Sequence, residues 1–142
     1  MLKNIPSILS PDLLYVMRTM GHGDVLLLAD ANYPAATGAR SLIRLDGVEI
    51  TAVLDAVLSL FPLDNFVENP VALMKPRPQD PTPEIWSEFK TIIEKHDTEK
   101  AFKDFELIER MAFYEYAKNA FAIVQTGTTA RYANIAIKKG VI

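Results

Sequence analysis

The sequence predicts an α/β domain of three layers, in which helices cover both faces of a mixed, largely parallel sheet. The first observation is that short apolar runs alternate with segments whose apolar residues recur at helical spacing. The second is the length of 142 residues, which suffices for one hydrophobic core but not for two, so residues 1–142 are expected to form a single domain. The third is a hydrophobic fraction of 49%, which is too high for a disordered chain.

The N-terminal segment predicts a helix followed by a buried strand. Residues 10–12 (Ser-Pro-Asp) have the pattern of a helix start, with a hydroxyl cap, an early Pro and a carboxylate near the positive helix end. Gly21 is a typical helix stop. The five apolar residues Val25–Ala29 are typical of a strand that is buried on both faces. Asp30–Arg40 contains Pro, Gly and Asn without an apolar period, so we predict a loop there.

The central segment predicts a strand, a helix and another strand. A short strand at Ser41–Leu45 is followed by an Asp-Gly turn. From Ile50 onwards apolar residues recur at helical spacing, and Pro62 marks the latest point at which that helix ends. Val71–Met74 is a second short apolar strand, and the Pro-rich residues 75–81 after it exclude regular structure.

The C-terminal half continues the alternation of helices and strands. Residues 82–84 (Thr-Pro-Glu) form another helix start, after which apolar residues again recur at helical spacing. The remaining predicted elements are a strand at Phe105–Ile108, a helix at Met111–Asn119, a strand at Phe121–Thr126 and a closing strand at Tyr132–Ile137. This alternation is typical of a layered α/β domain.

The composition excludes several kinds of chemistry and of partner. The absence of cysteine rules out disulfides, a cysteine nucleophile, a thiolate zinc site and an iron–sulfur cluster, and two histidines leave little material for a multi-histidine metal site. A net charge of -3 argues against nucleic acid as a partner. No apolar run approaches the roughly 20 residues that span a bilayer, and the N-terminus lacks a secretory pattern, so we expect no membrane partner and a cytoplasmic location.

His22 is the first candidate for chemistry, because it lies between two glycines just before the most apolar strand. An imidazole titrates near neutrality and can both give and take a proton. Two interpretations are open: a group that meets a ligand, or a histidine at a helix C-terminus that the helix dipole favours. His96, in a charged segment, is expected to be a solvated helix end.

The other candidates follow predicted strands. Asp30 directly follows Val25–Ala29, where a carboxylate can bind sugar hydroxyls or simply form a turn with the next amide. Arg110 follows the strand at Phe105–Ile108, and it either binds a ligand or pairs with a neighbouring glutamate. Tyr132 and Asn134, near the start of the last predicted strand, either recognise hydroxyl groups of a ligand or have a structural role in the turn before that strand. The sequence has no phosphate-binding glycine motif, which disfavours a nucleotide-binding module.

Taken together, five motifs resemble the L-fucose mutarotase / D-ribose pyranase family, in the same order and from Leu2 to Val141. They are Met-Gly-His-Gly-Asp at 20–24, Ala-Asp-Ala-Asn-Tyr-Pro at 29–34, Arg-Met-Ala-Phe-Tyr-Glu at 110–115, Phe-Ala-Ile-Val-Gln-Thr-Gly at 121–127 and Tyr-Ala-Asn-Ile at 132–135. The resemblance implies a cofactor-free cytoplasmic enzyme that interconverts anomeric or ring forms of free monosaccharides. It also implies a homo-oligomer, commonly a decamer of two stacked pentamers, with sites completed between neighbouring subunits.

The resemblance also assigns roles to individual residues. His22 matches the family's proton donor, and the residues that match its sugar-binding positions are Asp30, Arg110, Tyr132, Ala133 and Asn134. In the implied mechanism, Tyr132 and Asn134 align the anomeric end of the sugar, from the same or a neighbouring subunit. Asp24 either orients His22 or has a structural role beside the helix.

The same motifs bear on the sugar. Arg110 with the following Phe-Tyr-Glu is similar to the fucose branch of the family, which implies L-fucose as the substrate. Ala133 departs from that pattern, because the fucose branch more often has Gly there and the ribose branch has Ala; Tyr33 also stands where Phe is frequent. Two alternatives to an L-fucose mutarotase stay open. One is an enzyme for the pyranose–furanose interconversion of D-ribose, and the other is a noncatalytic monosaccharide-binding protein associated with transport.

Overall fold

The computed structural model describes residues 1–142 as a six-stranded mixed sheet with five helices. The helices are α1 (Pro11–Thr19), α2 (Ala35–Gly38), α3 (Ile50–Leu58), α4 (Ile85–His96) and α5 (Arg110–Lys118). The strands are β1 (Val25–Ala29), β2 (Leu42–Leu45), β3 (Val71–Met74), β4 (Glu106–Ile108), β5 (Ala122–Thr126) and β6 (Ile135–Lys138). The predicted α/β class is confirmed. No helix is both long enough and apolar enough to cross a membrane.

The strand order is β2-β5-β1-β6-β3-β4, and only β6 runs against the others. Neighbours of β1 are β5, which is parallel to it, and β6, which is antiparallel. The carboxyl ends of five strands therefore lie at one edge of the sheet, together with the start of β6. In open α/β sheets this edge is where ligands bind.

Alternate residues of the strands face two separate cores, which makes the domain three-layered. Leu26 and Leu28 of β1 face the larger core, which is covered by α1, α3 and α4. Leu27 and Ala29 face the smaller core, which is covered by α2 and α5. Because both faces are covered, the buried strands carry apolar residues at successive positions rather than at alternate ones.

Two local predictions are wrong, each for an identifiable reason. The predicted loop at Asp30–Arg40 contains α2, a single turn whose Ala35 is buried against the smaller core. One turn is too short to produce an apolar period. The last strand begins at Ile135 and not at Tyr132, because the φ of Tyr132 is +55°, in the left-handed region that a strand does not use.

Gly127, directly after β5, is expected to tolerate a side chain poorly. A Cβ atom there would overlap the backbone carbonyl of Asp46, and its N–H donates to the carbonyl of Val48 at 2.9 Å. Gly127→Ala should therefore lower the free energy of unfolding by about 1–3 kcal/mol, as overpacking does.

Gly38, in α2, provides the matched control, because a Cβ atom there meets nothing within 4 Å. Gly38→Ala should leave the unfolding free energy unchanged or raise it by up to ~1 kcal/mol. Urea denaturation of both variants, followed by far-UV circular dichroism, measures the difference. Equal stability of the two variants would show that the close approach at Gly127 is relaxed at little cost.

Candidate functional site

A polar pocket of about 440 Å³ lies at the edge of the sheet where the carboxyl ends of the five strands meet. Its volume is within the usual range for small-ligand sites. Four of the residues singled out from the sequence line it: Asp30, Arg110, Tyr132 and Asn134. The topology explains why they meet, because two of them follow strands of the parallel set and the other two precede the antiparallel β6.

Asp30 is held rigidly at the end of β1 and is only 6% exposed. Its Oδ1 accepts the N–H of Asn32 at 3.0 Å, and its own N–H donates to Oδ1 of Asn134 at 2.8 Å. Burial raises the pKa of Asp30 above its ordinary value, although hydrogen bonds from the backbone N–H groups of Asn32 and Ala133 oppose this. A desolvated carboxylate of this kind is a strong acceptor for ligand hydroxyl groups.

The Tyr132-Ala133-Asn134 segment presents only its two polar side chains to the pocket. The indole N–H of Trp86 donates to the carbonyl of Tyr132 at 2.8 Å, which secures the backbone just before β6. Asn134 is 5% exposed, its Oδ1 accepts the N–H of Asp30, and a hydrogen bond from its side chain lowers the pKa of the Asp30 carboxyl, so its Nδ2 donor faces the same polar group as the ligand. Ala133 is fully buried in the larger core, so its side chain does not line the pocket.

Arg110 is the first residue of α5 and lies beside an aromatic ring. Its guanidinium carbon is 5.8 Å from the centre of the Tyr114 ring. The alternative, that Arg110 pairs with Glu109, does not occur, because Glu109 Oε1 lies 3.2 Å from Lys75 Nζ. The guanidinium of Arg110 is therefore directed by the tyrosine and is available to donate to a ligand.

Tyr33 and Tyr114 form an aromatic wall of the pocket, with ring centres 5.6 Å apart. Burial of Tyr33, reinforced by Tyr114 and Asp30, raises the pKa of its hydroxyl to about 12. The Tyr33 hydroxyl consequently stays protonated at neutral pH and can donate as well as accept. The sequence motifs include both tyrosines, but their spacing alone does not distinguish this wall from ordinary core packing.

His22 lies at the opposite edge of the sheet from this pocket. It precedes β1 whereas Asp30 follows it, and five residues at about 3.3 Å each separate the two edges by roughly 16 Å. The His22 side chain is 44% exposed. Its ring centre is 5.2 Å from that of Phe66, which is itself 72% exposed. One chain therefore presents the imidazole and the pocket on different surfaces.

Asp64 is the residue that orients His22. Its side chain is 3% exposed, and its Oδ1 lies 3.0 Å from His22 Nε2 and accepts the N–H of Phe66 at 3.0 Å. Burial raises the pKa of Asp64, but the hydrogen bonds from Phe66 and His22 outweigh it, so the pKa is below its ordinary value. Because an ionised carboxylate only accepts, Nε2 carries the shared proton and Nδ1 is left to exchange one.

Asp24 has the structural role that was one of its two predicted alternatives. Its Oδ2 accepts the N–H of Gly21 at 2.7 Å, which closes the turn between α1 and β1. No local pattern points to Asp64, because that residue is 42 positions from His22 in a segment without a regular pattern. Only the folded chain brings the two side chains together.

We expect Asp64→Ala to lower any activity that depends on His22 by about tenfold or more, because it removes the acceptor that holds the imidazole. Asp24→Ala should leave that activity close to wild type and cost about 1 kcal/mol of unfolding free energy, since it removes one turn hydrogen bond. Activity and urea denaturation of the two variants separate these effects. Similar losses of activity in both would contradict the assignment of Asp64.

The fold and the pocket define this chain as an α/β domain with a polar pocket of small-ligand size at the carboxyl edge of its sheet. A family model described as "RbsD / FucU transport protein family" matches residues 3–142. The chain belongs to this family, as its motifs predicted.

Individual relatives agree with the family match over nearly the whole chain. The chain is 45% identical to a human fucose mutarotase, over 99% of this chain and 94% of the relative. The crystal structure of a Streptococcus pneumoniae fucose mutarotase in complex with L-fucose superposes with a TM-score of 0.93 at 48% identity, covering 99% of both chains. The Bacillus subtilis RbsD structure complexed with D-ribose has a TM-score of 0.73 at 21% identity, which shows a shared fold.

Proposed function

We propose that this protein is an isomerase that interconverts the α and β anomers of free L-fucose without a cofactor. The observation that carries the proposal is the similarity to the S. pneumoniae fucose mutarotase, which covers 99% of both chains at 48% identity and whose structure contains L-fucose. The pocket supports it, because its volume of about 440 Å³ and its polar lining suit a monosaccharide.

The pocket residues supply the contacts that a hydroxyl-rich ligand needs. The buried carboxylate of Asp30 accepts hydrogen bonds from sugar hydroxyls, and Arg110 donates to them. Asn134 donates through its Nδ2 group, since its Oδ1 holds the backbone of Asp30. Tyr132 faces the anomeric end, whereas Ala133 contributes through its backbone only, because its side chain is buried in the core.

The chemistry is a reversible ring opening that needs only proton transfer. One proton leaves the anomeric hydroxyl while another reaches the ring oxygen, and the bond between that oxygen and the anomeric carbon breaks to give the open aldehyde. Rotation about the adjacent carbon–carbon bond and attack by the same hydroxyl give the other anomer and restore both protons. His22 delivers the proton to the ring oxygen through Nδ1, with Nε2 held by Asp64.

The site is completed between two subunits in this proposal. Two observations support this: His22 and the pocket lie at opposite edges of one chain, and the exposed ring of Phe66 lies beside His22, as at a contact surface. A neighbouring subunit then brings its His22 to the pocket. The homo-oligomer is a decamer of stacked pentamers, and the location is the cytoplasm, both as implied by the resemblance to the family.

Saturation-transfer NMR of the wild-type protein with L-fucose tests the function directly. The expected result is exchange between the α and β anomeric signals that rises in proportion to protein concentration and exceeds the buffer rate. D-ribose is measured in parallel, because Ala133 is typical of the ribose branch. Faster pyranose–furanose exchange of D-ribose would favour that alternative. Sugar binding without catalysed exchange of either sugar would indicate a noncatalytic transport-associated protein and overturn the proposal.

A further inference from the structure

We infer that Asp80 is a positioning residue of the sugar pocket, which holds the hydroxyl of Tyr132 and fixes the direction of its hydrogen bond. Asp80 lies in the Pro-rich loop after β3 and was not among the candidates from the sequence. The inference deepens the proposed function and rests on it, because it assigns how one wall of the same pocket is prepared for the sugar.

The contact between Asp80 and Tyr132 is the first argument. The Tyr132 hydroxyl donates to Oδ2 of Asp80 at 2.5 Å, and the Asp80 side chain is only 13% exposed. Because a carboxylate can only accept, the phenolic proton points towards Asp80. The Tyr132 oxygen, which also accepts the N–H of Arg77 at 3.4 Å, is thereby set as an acceptor for a sugar hydroxyl, which complements the proton that His22 donates.

Asp80 is itself held by two cationic side chains, which is the second argument. Arg77 donates from Nε to Oδ2 at 3.0 Å, and Nη2 of Arg131 lies 3.4 Å from the same oxygen. Hydrogen bonds from Arg77 and Tyr132 hold the pKa of Asp80 below its ordinary value, so its carboxylate is ionised at neutral pH. An ionised acceptor that two arginines hold in place gives the Tyr132 hydroxyl one direction in which to donate.

The backbone of Tyr132 provides the third argument. Its φ of +55° is unfavourable for a bulky residue, and such conformations persist only where the surroundings impose them. Trp86 holds the carbonyl of Tyr132 at 2.8 Å and Asp80 holds the hydroxyl, so the residue is fixed at both ends. A tyrosine secured in this way presents its oxygen to the pocket at a defined position.

A double-mutant cycle on L-fucose anomer exchange tests whether Asp80 acts through Tyr132. In the wild-type background, Asp80→Ala is expected to lower kcat by about tenfold with a smaller change in KM. In a Tyr132→Phe background the same substitution should change kcat by less than about twofold, because the hydroxyl it positions is gone. The protein concentration is raised for the slower variants, so that every rate exceeds the uncatalysed exchange.

Two further variants make the result specific. Asp80→Asn keeps an oxygen that accepts the Tyr132 hydroxyl, and it should restore most of the rate lost in Asp80→Ala. Asp55→Ala is the matched control, because Asp55 is also held by two cationic side chains, Lys95 and His96. Neither of these partners lines the pocket, whereas the partners of Asp80, which are Arg77, Arg131 and Tyr132, do. Asp55→Ala should leave kcat unchanged.

The outcomes separate this inference from the proposed function. No catalysed exchange by the wild type would overturn the function. An active wild type in which Asp80→Ala lowers kcat by the same factor in both backgrounds would overturn the role of Asp80 alone, since a purely structural residue acts independently of the hydroxyl. If Asp80→Ala does not fold, Asp80→Glu replaces it in the cycle, because it keeps the charge for the arginines while displacing the carboxylate from Tyr132.

Discussion

Replacing His22 by Ala is expected to lower the catalysed exchange of L-fucose anomers by about 10²–10⁴-fold, the range that one general acid–base group typically contributes. Asp64 holds Nε2 of the imidazole at 3.0 Å, which leaves Nδ1 as the atom that exchanges a proton with the sugar. Ala removes the proton source but leaves the sugar pocket of the same chain untouched, so KM should change little. Saturation-transfer NMR at several sugar concentrations gives both quantities.

His96 offers a close control for this substitution. Like His22 it pairs through Nε2 with an aspartate, here Oδ1 of Asp55 at 2.6 Å, and it lies outside the sugar pocket. His96→Ala should cost some stability, because it leaves Asp55 with Lys95 as its only cationic partner, but it should leave exchange at the wild-type rate. Undiminished exchange in His22→Ala, with both variants folded, would remove His22 from the mechanism.

Much of the fold follows from local patterns, because its strands are short, apolar and buried on both faces. Val25–Ala29 is predicted as a buried strand and forms β1 with the same bounds. The incorrect secondary-structure predictions lie where tertiary contacts decide the conformation. Packing of Ala35 against the smaller core stabilises the single turn of α2. Trp86 and Asp80 hold Tyr132 in a left-handed conformation, so the last strand does not begin at Tyr132 as predicted. His96, predicted to be solvated, is mostly buried against Asp55.

The candidate site likewise contains residues that could be predicted from the sequence and residues that could not. The pocket residues could be predicted because they adjoin strand ends, and parallel strands bring their carboxyl ends to one edge. Asp64 and Asp80 could not be predicted from the sequence. The partner of Asp64 is 42 residues away and that of Asp80 is 52 residues away, and neither aspartate has a local signature. The family resemblance, which the match over residues 3–142 confirms, predicts His22 as the proton donor but does not predict its place in the fold. The position of His22 follows from β1, which runs from one edge of the sheet to the other and so places residue 22 and residue 30 at opposite edges.

Two inactive variants are expected to regain activity when they assemble together. His22→Ala lacks the proton donor but keeps an intact pocket, and Asp30→Asn lacks the buried carboxylate but keeps His22. If each site combines His22 of one subunit with the pocket of its neighbour, a random mixed assembly has about a quarter of its sites fully wild type. Co-expressing the two variants with different affinity tags, and purifying on both, yields the mixed assemblies whose exchange rate is then measured by NMR.

The matched control mixes two variants that are defective in the same surface. Asp30→Asn and Arg110→Ala both damage the pocket, and in any combination no pocket regains both residues, because the two lie in one chain. This mixture should stay inactive, which separates complementation from general stabilisation by co-assembly. Mixed assemblies of His22→Ala and Asp30→Asn that stay equally inactive would mean that His22 and the pocket do not form one site. We expect activity to return only in the mixture of His22→Ala and Asp30→Asn. The reason is that β1 separates the two edges of the sheet by roughly 16 Å, so only a second subunit can bring a His22 side chain to the pocket.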